Sequence, residues 1–102
     1  DSFQDIVSFG FVAARRAREV LRNTAYVIAF ELICACQAVD IRGGAGGLSS
    51  WTRRLYEKVR EIVPYLDHDV TITDYLEALA SFLLGEDAGS LAAVPSGGEL
   101  RV

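Results

Sequence analysis

One long stretch without helix breakers, residues 4–40, constrains the fold of this chain more than any other feature. It contains no proline, and its only glycine is Gly10, close to its start. Apolar residues recur along it at spacings of one, three and four, which is the period of one face of a helix. The pattern predicts one long helix over residues 4–40, exposed in its first turns and buried in its last ones. Asp5 or Ser8 is the predicted N-cap.

A helix of this length is unusual in so short a chain. Helices in compact domains average about 11–12 residues, whereas the whole chain has 102 residues. The chain is also 51% hydrophobic, with a mean hydropathy of +0.24. Both observations predict that the helix is part of a larger helical bundle, in which other segments cover its apolar surface.

Two shorter helices are predicted after a glycine-rich connection at residues 43–47, which is too flexible to hold a helix or a strand. The connection lacks the preceding strand and the Gly-Lys-Ser/Thr ending of a phosphate-binding loop. Ser49 or Ser50 is expected to cap a helix over residues 51–63, which Pro64 stops. Thr71 and Asp74 resemble a capping box that opens a third helix over residues 72–84.

The resulting fold class is all-α, with one long helix and two shorter ones forming a fragment of a larger helical bundle. Residues 1–85 form the predicted helical segment, and residues 86–102, rich in Gly and Ser, are predicted to be a flexible tail. The sequence begins at Asp1 without a methionine. It is therefore expected to be a piece of a longer polypeptide.

Charge and cysteine usage exclude several classes of partner. The net charge of −4 and the pI of about 4.8 argue against nucleic-acid binding. A group of arginines is interpreted as a solvated or ion-paired helix face; it comprises Arg15, Arg16, Arg18 and Arg22. Cys34 and Cys36 point about 200° apart on a helix, so they cannot bridge each other or share a metal, and they favour a reducing, cytoplasmic location. The apolar residues 25–39 are too few to span a bilayer.

Candidate sites for metal binding or nucleophilic catalysis are weak. His68 is the only histidine and stands between Asp67 and Asp69. Three adjacent side chains in one loop do not converge easily on a metal ion, so we interpret His68 as a surface residue and predict no metal site. No Gly-x-Ser-x-Gly motif supports a serine nucleophile.

Two polar residues interrupt the apolar half of the long helix. Glu31 and Gln37 are expected to be buried there, where each needs a hydrogen-bond or ion-pair partner. Arg42 is a candidate partner. Neither residue by itself implies catalysis.

Several separated stretches, in order along the chain, resemble one family. They match the C-terminal part of the aromatic amino acid ammonia-lyases and aminomutases, which include the histidine, phenylalanine and tyrosine lyases. These stretches are QDIVSFG at residues 4–10, AARRA at 13–17, EL at 31–32, CQAVDIR at 36–42 and VREIVPYLDHD at 59–69. The resemblance covers residues 1–85 and leaves the tail unassigned.

The resemblance implies an all-helical, homotetrameric enzyme with a methylidene-imidazolone (MIO) electrophile formed from an internal Ala-Ser-Gly. Such an enzyme eliminates ammonia from an aromatic L-amino acid, and an aminomutase returns the ammonia to the β carbon. These 102 residues contain no Ala-Ser-Gly. We therefore expect no cofactor and no catalytic residue in this segment. The expected partners are the rest of the parent polypeptide, other subunits and an aromatic amino acid, with no nucleic acid and no membrane.

One active-site position carries over from the family, and it is Gln4. The family has Gln there in lyases or mutases of phenylalanine and tyrosine, and Glu in histidine lyases. A neutral amide cannot pair with an imidazolium as Glu does, so Gln4 favours tyrosine or phenylalanine as the substrate. An alternative role for Gln4 is to satisfy backbone groups at the helix entry. Phe3 and Val70 depart from the family pattern, which commonly has Asn and Arg at these positions.

A function from another class remains open at this point. The chain could be an independent helical module whose apolar long helix drives homo-oligomerisation without any chemistry. An upstream reading frame containing Ala-Ser-Gly distinguishes the enzyme segment from this module. A native start codon at or just before Asp1 indicates the module.

Overall fold

Three helices form the fold, in agreement with the predicted all-α class. A computed structural model describes residues 2–68 and 71–85, with the side chains of residues 8–68 and 71–85. The elements are α1 (Ser2–Ile41), a 3₁₀ turn (Ala45–Gly47), α2 (Ser50–Ile62) and α3 (Thr73–Leu84). These described residues contain no strand. The predicted tail at residues 86–102 lies outside the described residues.

The long helix α1 starts earlier than the sequence suggested. It begins at Ser2, so Asp5 and Ser8 lie inside the helix and neither of them caps its start. The predicted N-cap was therefore wrong, because these residues stand in a continuous run of helix-compatible residues and their capping preference is overridden. With 40 residues, α1 is about 60 Å long at 1.5 Å per residue.

A glycine pair ends α1. Gly43 and Gly44 have φ angles of +121° and +104°, in the range that favours glycine. The Gly44 N–H donates to the Val39 carbonyl at 3.0 Å, and the Gly43 N–H donates to the Asp40 carbonyl at 3.2 Å. These two bonds are the pattern of a Schellman motif, which satisfies the last carbonyls of a helix.

The connection to α2 is more ordered than expected. Residues Ala45–Gly47 form a 3₁₀ turn, closed by the Leu48 N–H donating to the Ala45 carbonyl at 3.1 Å, although the glycine run was predicted to hold no helix. One turn of this kind tolerates glycine because it is short and locally hydrogen-bonded. Ser49 is the N-cap of α2, as one of the two predicted alternatives, and its Oγ accepts from the Thr52 N–H at 3.3 Å.

The start of α3 differs from the predicted capping box. The N-cap is Ile72, and no side chain caps this terminus, so the assignment of Thr71 and Asp74 as a capping box was wrong. The helix begins one residue later than Thr71 would require. Its end agrees with the prediction, since Gly85 follows Leu84 as the C-cap.

The core lies between the C-terminal half of α1 and the two short helices. The buried side chains of α1 are small or medium in size, which lets the other helices approach it closely. The contact of α1 with α3 is more extensive than its contact with α2. Leu79 of α3 and Val59 of α2 are fully buried. The buried residues are Ala25, Ala29, Ile33, Cys36, Val59, Val63, Leu79 and Ala80.

The N-terminal half of α1 is exposed, and no described segment packs against it. Every side chain from Ser8 to Thr24 is exposed, including Phe9 at 76% and Leu21 at 61%. Exposed apolar residues also occur in the C-terminal half of α1, on the side that does not face the core. Val27, for example, is 58% exposed. Isolated large hydrophobics on a surface are normal, but a contiguous strip of them marks an interaction surface.

The apolar part of α1 is longer than residues 25–39. Residues Ser8–Ile41 include an 18-residue window with a mean hydropathy of 1.6, so by length and composition this helix could cross a membrane. The prediction that the apolar stretch is too short to span a bilayer was therefore wrong. A core helix of a soluble bundle passes the same test, and the absence of a membrane partner stays a prediction.

Candidate functional site

The predicted substrate-binding position, Gln4, lies in the first turns of α1. Its backbone is helical, and its side chain lies outside the described residues. Gln4 precedes Gln37 by 33 residues, which corresponds to about 50 Å along the helix axis. Gln4 therefore lies far along α1 from the half that packs against α2 and α3, which begins at Ala25.

A cluster of hydrogen-bonded polar side chains lies at the other end of α1, where Asp40 contacts Tyr56 and Arg60 of α2. Arg60 donates to Asp40 Oδ2 from Nε at 2.9 Å and from Nη2 at 2.6 Å. The Tyr56 hydroxyl donates a short hydrogen bond to Asp40 Oδ1. The Arg60 and Asp40 side chains are only 13% and 19% exposed. The two carboxylate oxygens are thus both engaged, and we call Asp40, Tyr56, Arg60 and Gln37 the polar clamp.

Gln37 extends the polar clamp to the connection after α2. Its Nε2 donates to the Leu66 carbonyl at 2.7 Å, and its Oε1 accepts from the Leu66 N–H at 3.3 Å. Arg60 Nη2 also approaches Gln37 Oε1 at 3.4 Å, and Nη1 donates to the Val63 carbonyl at 3.1 Å. The expectation that Gln37 needs a polar partner is confirmed, and the arginine involved is Arg60 and not Arg42.

Two aromatic rings flank the Arg60 guanidinium. Its Cζ lies 5.8 Å from the centroid of the Tyr56 ring and 5.9 Å from that of Tyr65. Cation–π contacts at this distance add to the hydrogen bonds of the guanidinium. Arg60 therefore joins α1, α2 and the connection to α3 through one side chain.

The clamp shifts the titration of its own members. The hydrogen bond from Tyr56, followed by those from Arg60, holds the pKa of the Asp40 carboxyl below its ordinary value, although desolvation opposes this. The same bond to Asp40 raises the pKa of the Tyr56 hydroxyl. Asp40 thus stays ionised and Tyr56 stays a donor, which is what a structural cluster requires. The arrangement has no free acid or base for catalysis.

Sequence reasoning missed this cluster, because Asp40 is 16 residues from Tyr56 and 20 from Arg60 along the chain, and Gln37 is 23 from Arg60. One signal was available. Tyr56 and Arg60 are four residues apart and so share one face of α2, while Asp40 stands just before the glycine turn that reverses the chain.

The two cysteines and His68 behave largely as predicted. Cys34 is exposed and Cys36 is buried, so they lie on different sides of α1 and are both free thiols. Burial raises the pKa of the Cys36 thiol. His68 is exposed and contacts Asp67 through Nδ1. Within residues 8–68 and 71–85, no three His, Cys, Asp or Glu side chains come together as a metal site; Asp69 and Val70 lie outside the described residues.

Two charged features of α1 face solvent in this chain. The arginine group at residues 15–22 is exposed, as predicted for a solvated face. Glu31 is exposed as well, so the expectation that it is buried was wrong. Helical periodicity identifies apolar faces but does not say which of two faces the rest of the chain covers. Glu31 lies on the uncovered one.

An open apolar groove of about 430 Å³ lies beside the C-terminal half of α1. Phe30, Cys34 and Ile41 form its α1 wall, and Leu66 and Ile72 form the opposite wall. Apart from Gln37, its lining side chains are apolar or carry a thiol. The groove offers no arrangement of polar groups that would orient a small polar substrate.

The geometry defines a helical segment that packs at one end and presents an exposed helix with apolar and charged residues at the other, as expected of one part of a larger helical protein. The family model of the aromatic amino acid lyases matches residues 1–61. The chain belongs to this family of ammonia-lyases and aminomutases. The resemblance inferred from the separated stretches is thereby confirmed.

Three relatives illustrate the similarity. The tyrosine ammonia-lyase of Cupriavidus metallidurans is 44% identical over 80 residues, 78% of this chain and 15% of that protein. The histidine ammonia-lyase of a Geobacillus species is 46% identical over 84 residues, 82% of this chain and 16% of that protein. The MIO-dependent tyrosine 2,3-aminomutase of Streptomyces globisporus is 45% identical over 80 residues, 78% of this chain and 15% of that protein.

A solved structure agrees in both sequence and fold. The phenylalanine aminomutase of Pantoea agglomerans superposes with a TM-score of 0.72 at 59% identity, over 78% of this chain and 15% of that one. This chain therefore spans about 15% of the length of the proteins that it matches.

Proposed function

We propose that this chain is the C-terminal helical segment of an MIO-dependent aromatic amino acid ammonia-lyase or aminomutase. The observation that carries the proposal is the family match over residues 1–61, which includes the N-terminal turns of α1 where Gln4 lies. The segment alone is not catalytic in this proposal. It supplies one substrate-binding residue, Gln4, which lies in the first turns of the long helix α1.

The proposed substrate is phenylalanine or tyrosine. Gln4 offers a neutral amide, which accepts and donates hydrogen bonds but does not pair with a cationic imidazole ring as a carboxylate does. Relatives named for tyrosine and phenylalanine support this choice, and the phenylalanine aminomutase shares 59% identity with the chain against 46% for the Geobacillus histidine lyase. Whether ammonia is released or returned to the substrate depends on residues outside this segment.

The MIO electrophile would come from another part of the polypeptide. These 102 residues contain no Ala-Ser-Gly from which it forms in the family. The chemistry assigned to this chain is therefore limited to binding and orientation by Gln4. The proposed surroundings are other subunits of a homotetramer in the cytoplasm. The exposed hydrophobic side chains of α1 support the oligomer.

The test uses the natural polypeptide that carries these residues. With phenylalanine or tyrosine, we expect cinnamate or coumarate to accumulate, or the β-amino acid in the case of a mutase. Gln4→Glu is expected to reduce turnover of these substrates at least tenfold, which corresponds to a loss of about 1.4 kcal/mol of transition-state binding. Glu31→Gln, a change of similar size on the exposed face of α1, serves as the control for folding.

A preference for histidine, with formation of urocanate, would contradict the assignment of Gln4. Unchanged turnover in the Gln4→Glu variant would leave Gln4 with only a backbone-capping role at the helix entry.

A stand-alone oligomerisation module is the second candidate, favoured by one observation. Several large hydrophobic side chains of α1 are exposed, among them Phe9 at 76%, Phe11 at 71% and Val20 at 62%, and a contiguous strip of such residues marks an interaction surface. The reading frame around these residues decides between the two, because only an enzyme needs an upstream Ala-Ser-Gly.

A further inference from the structure

The apolar groove beside the C-terminal half of α1 leaves large hydrophobic side chains in contact with water. Phe30 and Ile41 of its α1 wall are 49% and 70% exposed. The exposed thiol of Cys34 lies on the same wall, and Leu66 and Ile72 form the opposite wall. Covering such a groove removes apolar surface from water, so its chemistry favours an apolar occupant.

We propose that residues 91–94 of this chain, Leu-Ala-Ala-Val, dock into this groove and cover Cys34. They form the only run of four apolar residues between Glu86 and Val102. The rest of that range is rich in glycine, serine and charged residues, which gain little from contact with an apolar surface. This run is therefore the part of the range for which burial is favourable.

The position of α3 brings the apolar run within reach of the groove. Ile72, which lines the groove, immediately precedes α3, and Gly85 immediately follows it. The 12 residues of α3 separate these two points by about 18 Å. Six residues lead from Gly85 to Leu91, and they span about 20 Å when extended. Leu91 can thus return to the level of Ile72, and Val94 can reach about 10 Å farther.

The short tether favours this occupant over a separate molecule. Gly85 and Gly89 allow the chain to reverse its direction after α3. A short flexible linker holds its segment at an effective concentration on the order of 1 mM. A weak contact between the run and the groove is therefore sufficient for docking, whereas a separate molecule would need to be present at a similar concentration to compete.

The sequence of the apolar run suits a groove with two walls. Pro95 disfavours a helical conformation of the preceding residue, Val94, and favours an extended one. In an extended segment, residues three apart point to opposite sides. Leu91 would therefore contact one wall and Val94 the other, while Ala92 and Ala93 are small enough to let the backbone lie between the walls. Because the groove is open on one side, the peptide groups of the run can stay hydrated.

Docking of the apolar run would give the two thiols of α1 different protection. Cys36 is buried in the core, and Cys34 is exposed within the described part of the chain. Residues 91–94 would shield Cys34, so a change that displaces them should expose this thiol alone. The inference concerns the C-terminal half of α1 and depends neither on the substrate nor on the role of Gln4.

Alkylation of Cys34 in the natural polypeptide measures whether residues 91–94 cover the groove. The double variant Leu91→Ser/Val94→Ser keeps the length of the run and removes its large apolar side chains. We expect iodoacetamide to modify Cys34 at least tenfold faster in this variant, as followed by tandem mass spectrometry, which distinguishes Cys34 from Cys36. Leu100→Ser, an equal change outside the run, should leave the rate unchanged. Slow modification of Cys36 in every variant reports that the core remains folded.

Equal rates of Cys34 modification in the unchanged polypeptide and in Leu91→Ser/Val94→Ser would overturn the proposal. Rapid modification in both means that the groove is open to solvent. Slow modification in both means that another segment or another subunit covers it.

A disulfide tests the contact itself. Leu91→Cys and Val94→Cys are made separately in the natural polypeptide, because one of the two residues faces the wall that carries Cys34. Mild oxidation of that variant should join the introduced thiol to Cys34 within one polypeptide. Mass spectrometry identifies the linked peptides, and a non-reducing gel distinguishes a link within one polypeptide from a link between two. Leu100→Cys is the matched control.

The proposal fails if neither variant forms more of this link than Leu100→Cys does. It also fails if the link joins two polypeptides, because the groove then takes the segment of a second copy. Both outcomes leave turnover of phenylalanine or tyrosine unaffected, so the proposed function is tested separately.

Discussion

The two halves of α1 belong to one continuous helix but exist in different surroundings. From Ala25 onward the helix buries one face of small residues against α3 and anchors its end through the polar clamp. From Ser8 to Thr24 it buries nothing within the described part of the chain. Helix propensity alone rarely stabilises an isolated helix in water, so packing of the second half supports the first. The contacts that stabilise α1 therefore lie in its second half, while the surface it leaves exposed lies mainly in its first half.

The largest expected effect contrasts one leucine of each region. Leu79→Ala removes a fully buried side chain of α3 and should cost about 3 kcal/mol of unfolding free energy. Leu21→Ala, at 61% exposure on the bare half, should stay within about 0.5 kcal/mol. Urea unfolding of the 102-residue chain at a concentration too low for association measures both. Equal losses in the two variants would contradict the division of α1 into packed and bare halves.

An intermediate effect is expected at the polar clamp. Gln37→Ala leaves both the N–H and the carbonyl of Leu66 without their partner, and an unmade hydrogen bond of this kind costs about 1–2 kcal/mol. Hydrogen exchange at the Leu66 amide should accelerate about tenfold. Gln37→Glu keeps an acceptor for that amide and should retain most of the protection. The same exchange rate in both variants would contradict the role of Gln37 Oε1.

The smallest expected effect is a pH dependence. Because Tyr56 and Arg60 lower the pKa of Asp40 below its ordinary value of 3.8, its contribution to stability is fully present above that value. The contribution is lost as the pH falls through the lowered pKa, since the unfolded chain then binds the proton more tightly. The stability difference between the chain and its Asp40→Asn variant should therefore shrink below about pH 4. Glu57→Gln on the exposed side of α2 controls for the loss of one charge, and a difference that stays constant down to pH 2 would contradict the assignment.

The sequence predicted the positions of the helices better than their N-caps and the contacts between them. Helical periodicity, Pro64 and Gly85 were sufficient to locate three helices, because these signals act within a few residues. The N-terminal signals were weaker, since Asp5, Ser8 and Thr71 have capping preferences that a continuous helix or a neighbouring residue overrides. Gln4 carried the only site prediction, and its side chain lies outside the described residues.

Contacts between distant residues were not predictable from spacing. The partner of Gln37 proved to be Arg60 because the reversal at Gly43 and Gly44 returns α2 across the end of α1, and no local pattern gives that crossing. Glu31 was misassigned for a related reason. Its helix has two apolar sides, and only the path of the later chain determines which side is covered.

The turn after α1 also constrains how related chains can diverge. Space around Gly43 and Gly44 is open, so their φ angles and not crowding restrict the residue type. A side chain at either position would be strained, whereas lengthening the connection adds only about 0.6 kcal/mol of closure cost for each doubling of its length. Among relatives, this connection is therefore expected to vary in length more readily than it loses its glycines. An insertion here would reach solvent without moving the end of α1 or the start of α2.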